Sequence, residues 1–189
     1  MRYKMIYILF LIFLLITIPY VITVFLSQQD KNIQFENYDS GYQVISGNDK
    51  DDLETYLLKI LPGQISMDQE NEAVKAQAVI LRTDIIRRME NKKQIARQKL
   101  PYTTYENSEY RKKLGNRSYQ SMDQKRKKSV SETRGKVITY KNKLIEPYFH
   151  ALSVGMTLDS REWFGKDLPY IREKESLSDI EAKDYMSVK

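Results

Sequence analysis

The chain has 189 residues, with 31 Lys and Arg against 25 Asp and Glu, and a formal net charge of +6 at pH 7. This length leaves room for about one domain of ordinary size. No cysteine is present, which excludes disulfides, thiolate catalysis and every zinc site that uses cysteine.

An uncharged apolar run, MIYILFLIFLLITIPYVITVFL, occupies residues 5–26. At about 1.5 Å per residue, a helix of this length crosses roughly 30 Å of hydrocarbon. The run exceeds the roughly 7–15 apolar residues of a cleaved signal peptide. We therefore predict a cytoplasmic tip and transmembrane anchor over residues 1–27. Because Arg2 and Lys4 precede the run, the sequence predicts a single-pass protein of the cell membrane with its C-terminal domain outside the cytoplasm.

The exported part of the chain is only mildly basic. Setting Arg2 and Lys4 aside leaves 29 basic residues against 25 acidic ones, and this excess does not predict nucleic acid as a partner. The densest basic block is QKRKKSV, residues 124–130. Such a block is either a solvated face or a contact for an anionic wall polymer or lipid headgroup.

Residues 28–41 are polar and without periodicity, which predicts a linker before an extracytoplasmic domain over residues 42–189. A short strand is expected at residues 42–45. Asp51 or Asp52 is then expected to cap a helix. The apolar residues of that helix recur at helical spacing: Leu53, Tyr56, Leu57, Ile60 and Leu61.

Further along the chain, the sequence predicts a core helix over about residues 70–90 and a hairpin around residues 141–143. Residues 100–128 are rich in Tyr, Asn, Ser, Lys and Arg without a sustained period, and we expect a long irregular loop there. Helices and short strands in this order predict an α+β fold, with one domain following the N-terminal transmembrane helix.

One stretch is specific enough to point to a family. The sequence ETYLLKILPGQISMDQENEAVKAQAVILRT, residues 54–83, resembles the SpoIID/LytB domain, also called the amidase enhancer domain. The hallmark of that domain is a helix followed by P-G-E-M-P and then E-A-L-K-A-Q-A-V-A-A-R-T. The spacing matches without a gap, and Gln64 stands where the family has its Glu.

Two later stretches agree with the same family in order and distance. ETRGKVITYKNKLIEPYFH, residues 132–150, resembles T-R-G-x-V-L-x-Y-x-G-x-x-I…Y-H. FHALSVGMT, residues 149–157, is similar to the end of Y-H-S-S-S-G-G-x-T and keeps His150, Ser153 and Thr157. The resemblance covers roughly residues 52–168.

The resemblance implies a cell-envelope protein similar to lytic transglycosylases, which cut the glycan strands of peptidoglycan. It also implies partners: the glycan strands themselves, a cell-wall amidase and a membrane partner of the engulfment machinery of sporulation. Some members of the family carry a Cys/His zinc site, which a chain without cysteine cannot build. A single imidazole, His150, is a poor metal site by itself. No metal and no cofactor are therefore predicted.

Glycosidic cleavage needs a carboxylic acid that protonates the leaving oxygen. Gln64 has no titratable proton, so three functions stay open. The domain binds glycan strands or a partner enzyme without cutting, another carboxylate such as Glu70 or Glu72 acts as the acid, or the protein is an envelope interaction domain unrelated to glycan. The residues that the resemblance implies for substrate binding are Lys75, Arg82, His150, Ser153 and Thr157.

Overall fold

A computed structural model describes residues 2–29 and 38–181 of the chain. The fold is a mixture of helices and short strands, and the α+β prediction is confirmed. The chain divides into two compact units. The first holds residues 1–78 and 92–135, and the second holds residues 79–91 and 136–189. Both units are therefore built from segments that are distant in sequence.

Helix α1, Arg2–Gln29, contains the apolar run of residues 5–26. Pro19 lies inside the helix, and the hydroxyl of Thr23 donates to the carbonyl of Pro19 at 2.8 Å. Among the residues whose side chains are described, which leave out several positions of α1, no helix has the length and apolar character needed to cross a membrane. The anchor stays a prediction, and residues 30–37 of the predicted linker lie outside the described residues.

The first unit contains a three-stranded sheet in the order β2-β1-β3. Strand β1, Gln43–Ser46, confirms the predicted first strand and pairs antiparallel with β2, Asp49–Asp52. Strand β3, Gln94–Ala96, pairs with β1 in parallel. The sequence DKDD of β2 has low strand propensity, so β2 forms through backbone pairing across the tight turn after β1 and not through its own residues.

Helix α2, Leu53–Ile60, begins where the sequence predicts. One carboxylate oxygen of Asp52 accepts from the backbone N–H of Glu54 at 2.9 Å, and the other accepts from the N–H of Ser40 at 2.7 Å. The cap therefore satisfies a free N–H of the first turn and also holds the segment before β1. The apolar residues at helical spacing all lie in the core: Leu53, Tyr56, Leu57, Ile60 and Leu61.

Helix α3, Asn71–Arg88, matches the predicted core helix closely. Its first part belongs to the first unit and its last part to the second. The helix ends before Glu90 and Asn91, which have positive φ values of 51° and 68°. A left-handed backbone at this point turns the chain out of the helix and toward β3.

The irregular loop predicted for residues 100–128 is wrong. The structure has helix α4, Asn107–Leu114, and helix α5, Asn116–Glu132, separated by Gly115 at a φ of 76°. The buried side chains of α5 do recur at helical spacing, and they are Tyr119, Asp123, Arg126, Ser129 and Val130. Because three of these five are polar, a search for apolar periodicity misses the helix.

The second unit contains the end of α3 and two short hairpins. Strands β4, Thr139–Tyr140, and β5, Lys143–Leu144, pair antiparallel. The two residues between them have φ values of 48° and 62°, as a two-residue hairpin turn requires. The predicted hairpin is therefore confirmed, although its strands have only two residues each.

The other hairpin of the second unit joins β6, Met156–Thr157, to β7, Lys174–Glu175. Two short helices complete the unit: α6, Ser160–Phe164, and α7, Leu177–Ile180. Asp159 caps α6 by accepting from the backbone N–H of Arg161 at 2.9 Å.

Candidate functional site

Gln64 lies on the turn that joins α2 to α3. Helix α2 tightens into a 3₁₀ turn, Leu61–Gly63, because Pro62 has no N–H with which to continue the helical ladder. The backbone N–H of Gln64 donates to the carbonyl of Leu61 at 3.0 Å. The side chain of Gln64 is half-buried, so this turn holds an amide at a position that solvent and ligands can reach.

The ring of Tyr105 packs against this turn. A Cβ on Gly63 would lie 2.8 Å from Cε2 of Tyr105, so only glycine permits the observed approach. The backbone N–H of Tyr105 donates to the carbonyl of Lys59 at 2.8 Å, which ties the ring to the end of α2. Sequence reasoning missed Tyr105 because it lies outside every regular element and far from Gln64 along the chain.

Lys75 pairs with two carboxylates of the first unit. Its ammonium group lies 2.7 Å from Oε1 of Glu72 and 2.6 Å from Oε2 of Glu132. The hydrogen bond to Glu132, followed by that to Glu72, raises the pKa of Lys75. Because Glu132 lies on α5, Lys75 links α3 to α5, and its predicted role in substrate binding stays a prediction.

Glu72 has surroundings that differ from those of a typical general acid. Its side chain is 82% exposed, and its carboxylate contacts the ammonium of Lys75. A general acid keeps its proton at neutral pH when burial in apolar surroundings disfavours the charged form. Glu72 has water and a lysine around it instead.

The basic block of residues 124–130 lies within α5, and its cations have partners inside the first unit. Lys125 donates to the carbonyl of Gln69, Lys127 lies 2.9 Å from Asp123, and Lys128 lies 3.8 Å from Glu132. The fourth cation, Arg126, is buried and bonded to the Asp123 carboxylate. These pairs favour the interpretation of the block as a solvated face over its interpretation as a contact for an anionic wall polymer or lipid headgroup.

Arg82 lies on the part of α3 that belongs to the second unit and is only 1% exposed. Its Nη1 donates to the carbonyl of Lys136 at 3.1 Å. One residue later, the hydroxyl of Thr83 accepts from the N–H of Ile138 at 3.0 Å. These contacts fasten the chain that enters β4 to α3, so Arg82 has a structural role whether or not it also faces a ligand.

His150 and Ser153 lie on the segment that leads into β6, and Thr157 is the second residue of that strand. The N–H and the hydroxyl of Ser153 both donate to Oδ2 of Asp179, at 2.9 Å and 2.6 Å. These hydrogen bonds lower the pKa of Asp179. The hydroxyl of Thr157 accepts from the N–H of Lys174 at 3.0 Å. Sequence reasoning missed Asp179 because no motif marks it.

The predicted site residues are thus divided between the units. Gln64, Glu72 and Lys75 belong to the first unit, where Glu72 and Lys75 are in contact. Arg82, His150, Ser153 and Thr157 belong to the second unit. There Ser153 donates to the carboxylate of Asp179, whereas Arg82 donates to the backbone carbonyl of Lys136. Across residues 2–29 and 38–181, no three His, Asp or Glu side chains form a group that could hold a metal ion.

Comparison with known proteins points to one family. The SpoIID family model, described as stage II sporulation protein, matches residues 41–140. Stage II sporulation protein D of Bacillus subtilis is 28% identical over 144 residues, and that of Bacillus amyloliquefaciens is 27% identical over 144 residues. Both matches cover 72% of this chain and 42% of the relative.

An uncharacterized protein of Brachyspira hyodysenteriae is 32% identical over 119 residues, which cover 63% of this chain and 30% of that protein. The chain thus spans less than half the length of the curated relatives it matches. The match to the family model includes Gln64, Lys75 and Arg82 and ends before His150. Because that match covers more than half of the sequence, the chain belongs to the SpoIID family.

Proposed function

We propose that this SpoIID-family protein binds the glycan strands of peptidoglycan in sporulation or wall remodelling, and that it scaffolds the wall machinery without cutting the strands. The proposal is carried by Gln64, which lies on the turn after α2 and which the resemblance of the flanking sequence aligns with the family's Glu. The turn itself is well built, since Tyr105 packs on Gly63. The chain therefore keeps the packed turn, but residue 64 has an amide side chain where catalysis would need a carboxylic acid.

A glutamine in place of the glutamate removes general acid catalysis at this position. A glutamine keeps the size and the hydrogen bonds of a glutamate but cannot deliver a proton to the leaving oxygen. General acid–base catalysis typically contributes about 10²–10⁴-fold to the rate. Binding depends on shape and hydrogen bonds, so a glycan strand can still be held where it is no longer cut.

The exposed ion pair of Glu72 with Lys75 favours binding over catalysis by another acid. A replacement acid needs surroundings that keep it protonated, and Glu72 is 82% exposed beside an ammonium group. An active lytic transglycosylase that uses another carboxylate is the alternative that the experiment below tests. An envelope interaction domain unrelated to glycan is the other.

The proposal includes a membrane anchor and two protein partners. The apolar run of residues 5–26 supports a single-pass anchor with the remaining chain outside the cytoplasm. We propose a cell-wall amidase and a membrane protein of the engulfment machinery as partners, on the strength of family membership. The internally paired basic block on α5 supports the absence of nucleic acid from this list.

The test compares the natural protein with a Gln64→Glu variant on purified glycan strands. We would measure strand binding by co-sedimentation and analyse the released muropeptides by mass spectrometry. The proposal expects both proteins to bind the strands and only Gln64→Glu to release 1,6-anhydro products, because the variant regains the acid.

A Gln64→Ala variant is the matched control, since it removes the amide without supplying a proton. Release of 1,6-anhydro products by the natural protein would show that another carboxylate acts as the acid. Failure of both natural protein and variant to bind strands would overturn the proposal and favour an interaction domain unrelated to glycan.

A further inference from the structure

The ring of Tyr105 lies beside the turn that carries Gln64. A Cβ on Gly63 would lie 2.8 Å from Cε2 of this ring, and Gly63 immediately precedes Gln64. Because consecutive Cα atoms are about 3.8 Å apart, the edge of the ring lies within about 8 Å of the Cα of Gln64. A single sugar unit can bridge a distance of that size. The ring and the amide therefore belong to one place on the first unit.

Both side chains keep part of their surface accessible to solvent. Tyr105 and Gln64 are half-buried, and Gly63, which adjoins both of them, is exposed. An exposed glycine leaves the backbone of the turn open, since no side chain covers it. A ligand can therefore approach the ring, the amide and the turn from the same solution.

The chain around Tyr105 is held in place, although it lies outside every regular element. The N–H of Tyr105 donates to the carbonyl of Lys59 at 2.8 Å. The residue before it, Thr104, accepts from Nη2 of Arg97 at 2.6 Å. The residue after it, Glu106, has its Oε1 3.7 Å from the ammonium group of Lys59. A ring that is ordered before binding loses little further entropy when a ligand stacks on it.

An aromatic ring next to an amide matches the two kinds of surface that a sugar has. A pyranose has a face of C–H groups and a rim of hydroxyl groups. Its C–H face packs on the electron-rich face of an aromatic ring. The amide of Gln64 offers an acceptor and two donors to the hydroxyl groups. Small-molecule sites combine aromatic surface with a few polar groups in this way.

The charges that flank the ring of Tyr105 are engaged with one another, which favours a neutral ligand. The ammonium group of Lys59 lies 2.8 Å from the carboxylate of Asp51 and 3.7 Å from that of Glu106. The amide of Gln64 is itself uncharged. Of the two sugars that alternate in a glycan strand, N-acetylglucosamine is neutral, whereas N-acetylmuramic acid carries a carboxyl group or a peptide. The neutral sugar is therefore the better match.

We infer that Tyr105 is the stacking surface of the glycan site: an N-acetylglucosamine unit of the strand lies on its ring, and Gln64 binds the hydroxyl groups of that unit. The inference rests on the proposed function, because it assigns a further residue to the same site. It adds a binding residue outside the stretch that resembles the family, and it names the sugar that this residue contacts. Stacking requires no proton, so it serves a protein that holds strands without cutting them.

The first test compares Tyr105→Leu with Tyr105→Phe in the full chain, held in detergent micelles. Leucine keeps apolar packing against Gly63 without an aromatic face, whereas phenylalanine keeps the ring. In co-sedimentation with purified glycan strands, we expect the dissociation constant to rise by about five- to tenfold for Tyr105→Leu and to stay within about twofold for Tyr105→Phe. Unchanged binding by Tyr105→Leu, or equal weakening by the two variants, overturns the inference.

Tyr102→Leu is the matched control, because Tyr102 is also half-buried and lies in the same irregular segment. It should leave the dissociation constant unchanged, and a loss equal to that of Tyr105→Leu would contradict a specific role of Tyr105. Urea denaturation of each variant shows whether the fold is kept.

The second test detects stacking directly, which a merely structural role of Tyr105 would not produce. A soluble tetrasaccharide of alternating N-acetylglucosamine and N-acetylmuramic acid is added, and its proton NMR spectrum is recorded. Protons over the face of an aromatic ring shift upfield. We expect upfield shifts of N-acetylglucosamine C–H protons with the natural protein and with Tyr105→Phe, and none with Tyr105→Leu. Shifts that persist in Tyr105→Leu, or that are confined to N-acetylmuramic acid, refute the assignment.

Failure of this inference can be distinguished from failure of the proposed function. If the natural protein binds no strands, the function fails and the assignment of Tyr105 fails with it. If the natural protein binds strands and Tyr105→Leu binds them equally well, only the assignment fails. Binding to a cell-wall amidase that is lost in Tyr105→Leu, without any binding to strands, would make the ring a protein contact and overturn the sugar assignment.

Discussion

Residues 38–135 bury most of their large apolar side chains, and residues 136–181 expose many of theirs. Leu57 of α2, Val44 of β1 and Val130 of α5 are all at most 1% exposed, although they come from three distant segments. Among the described residues of the segment 136–181, no large apolar side chain is fully buried. The first unit can thus be stabilised by its own core, whereas the later segment depends more on hydrogen bonds and on the last part of α3.

The same contrast separates the predicted site residues. Gln64 lies on a turn that is supported by a packed ring, Tyr105, within the first unit. Ser153 is held by hydrogen bonds to one carboxylate, Asp179, near the end of the described chain. Local stability follows buried apolar contacts, so the turn should open rarely and the segment around Ser153 often.

The largest expected effect is loss of the buried charge network of the first unit. Arg126 is 1% exposed, and it donates to the carboxylate of Asp123 and, at 2.9 Å, to the carbonyl of Leu58. Arg126→Ala leaves the Asp123 carboxylate with the half-exposed Lys127, 2.9 Å away, as its remaining cation, so the free energy of unfolding should fall by about 3 kcal/mol, the low end of the range for a broken buried pair. Urea denaturation of the full chain in micelles measures the change.

The double variant Asp123→Leu, Arg126→Met is the control for this network. It leaves no uncompensated charge, so it should recover part of the lost free energy of unfolding. A loss below about 1 kcal/mol for Arg126→Ala would mean that the network contributes little beyond an exposed pair.

A matched pair of valines tests the contrast between the regions directly. Val130 is 0% exposed in the first unit, and Val154 is 78% exposed in the second. Val130→Ala creates a cavity and should lower the free energy of unfolding by about 2 kcal/mol, whereas Val154→Ala should change it by less than about 0.5 kcal/mol. The same urea denaturation measures both. Equal losses would contradict the contrast.

The smallest expected effect is a local one that depends on pH. The hydrogen bonds from Ser153 hold the pKa of Asp179 below its ordinary value of 3.8. A carboxylate with a lowered pKa stabilises the fold above its unfolded pKa, and this contribution is lost as the pH falls through the folded pKa. The N–H of Ser153 should therefore lose protection from hydrogen exchange below about pH 4, after correction for the intrinsic exchange rate.

The N–H of Tyr105, which donates to a carbonyl in the first unit, is the internal reference for this experiment and should keep its protection. Asp179→Asn removes the titrating group, so the protection of Ser153 should become lower and independent of pH. Protection of the Ser153 amide that is independent of pH in the natural protein, as it is expected to be in Asp179→Asn, would contradict the assignment.

Helices whose buried faces are apolar could be predicted from the sequence, and helices whose buried faces are polar could not. The spacing of Leu53, Tyr56 and Leu57 correctly predicted α2, and the motif run correctly predicted α3. Helix α5 was missed because its buried face carries Asp123 and Arg126, whose burial depends on partners from other segments.

Site residues show the same division. The resemblance to the SpoIID family was found from the sequence and is confirmed by the family match. Tyr105 and Asp179, which support the predicted residues, could not be found because no spacing links them to Gln64 or Ser153. Lys75 was predicted to face a ligand, and its partners Glu72 and Glu132 became visible only in the folded chain.

The sequence by itself determined what each residue is able to do. It established that no thiol is present, that an apolar run occupies residues 5–26, and that Gln64 has an amide and no titratable proton. Tertiary structure alone decided which groups meet: that the basic block on α5 is internally paired, that Arg82 is buried, and that the apolar side chains after residue 136 are exposed. The physical reason is that titration and bonding capacity belong to the residue type, whereas burial and pairing come from segments that only folding brings together.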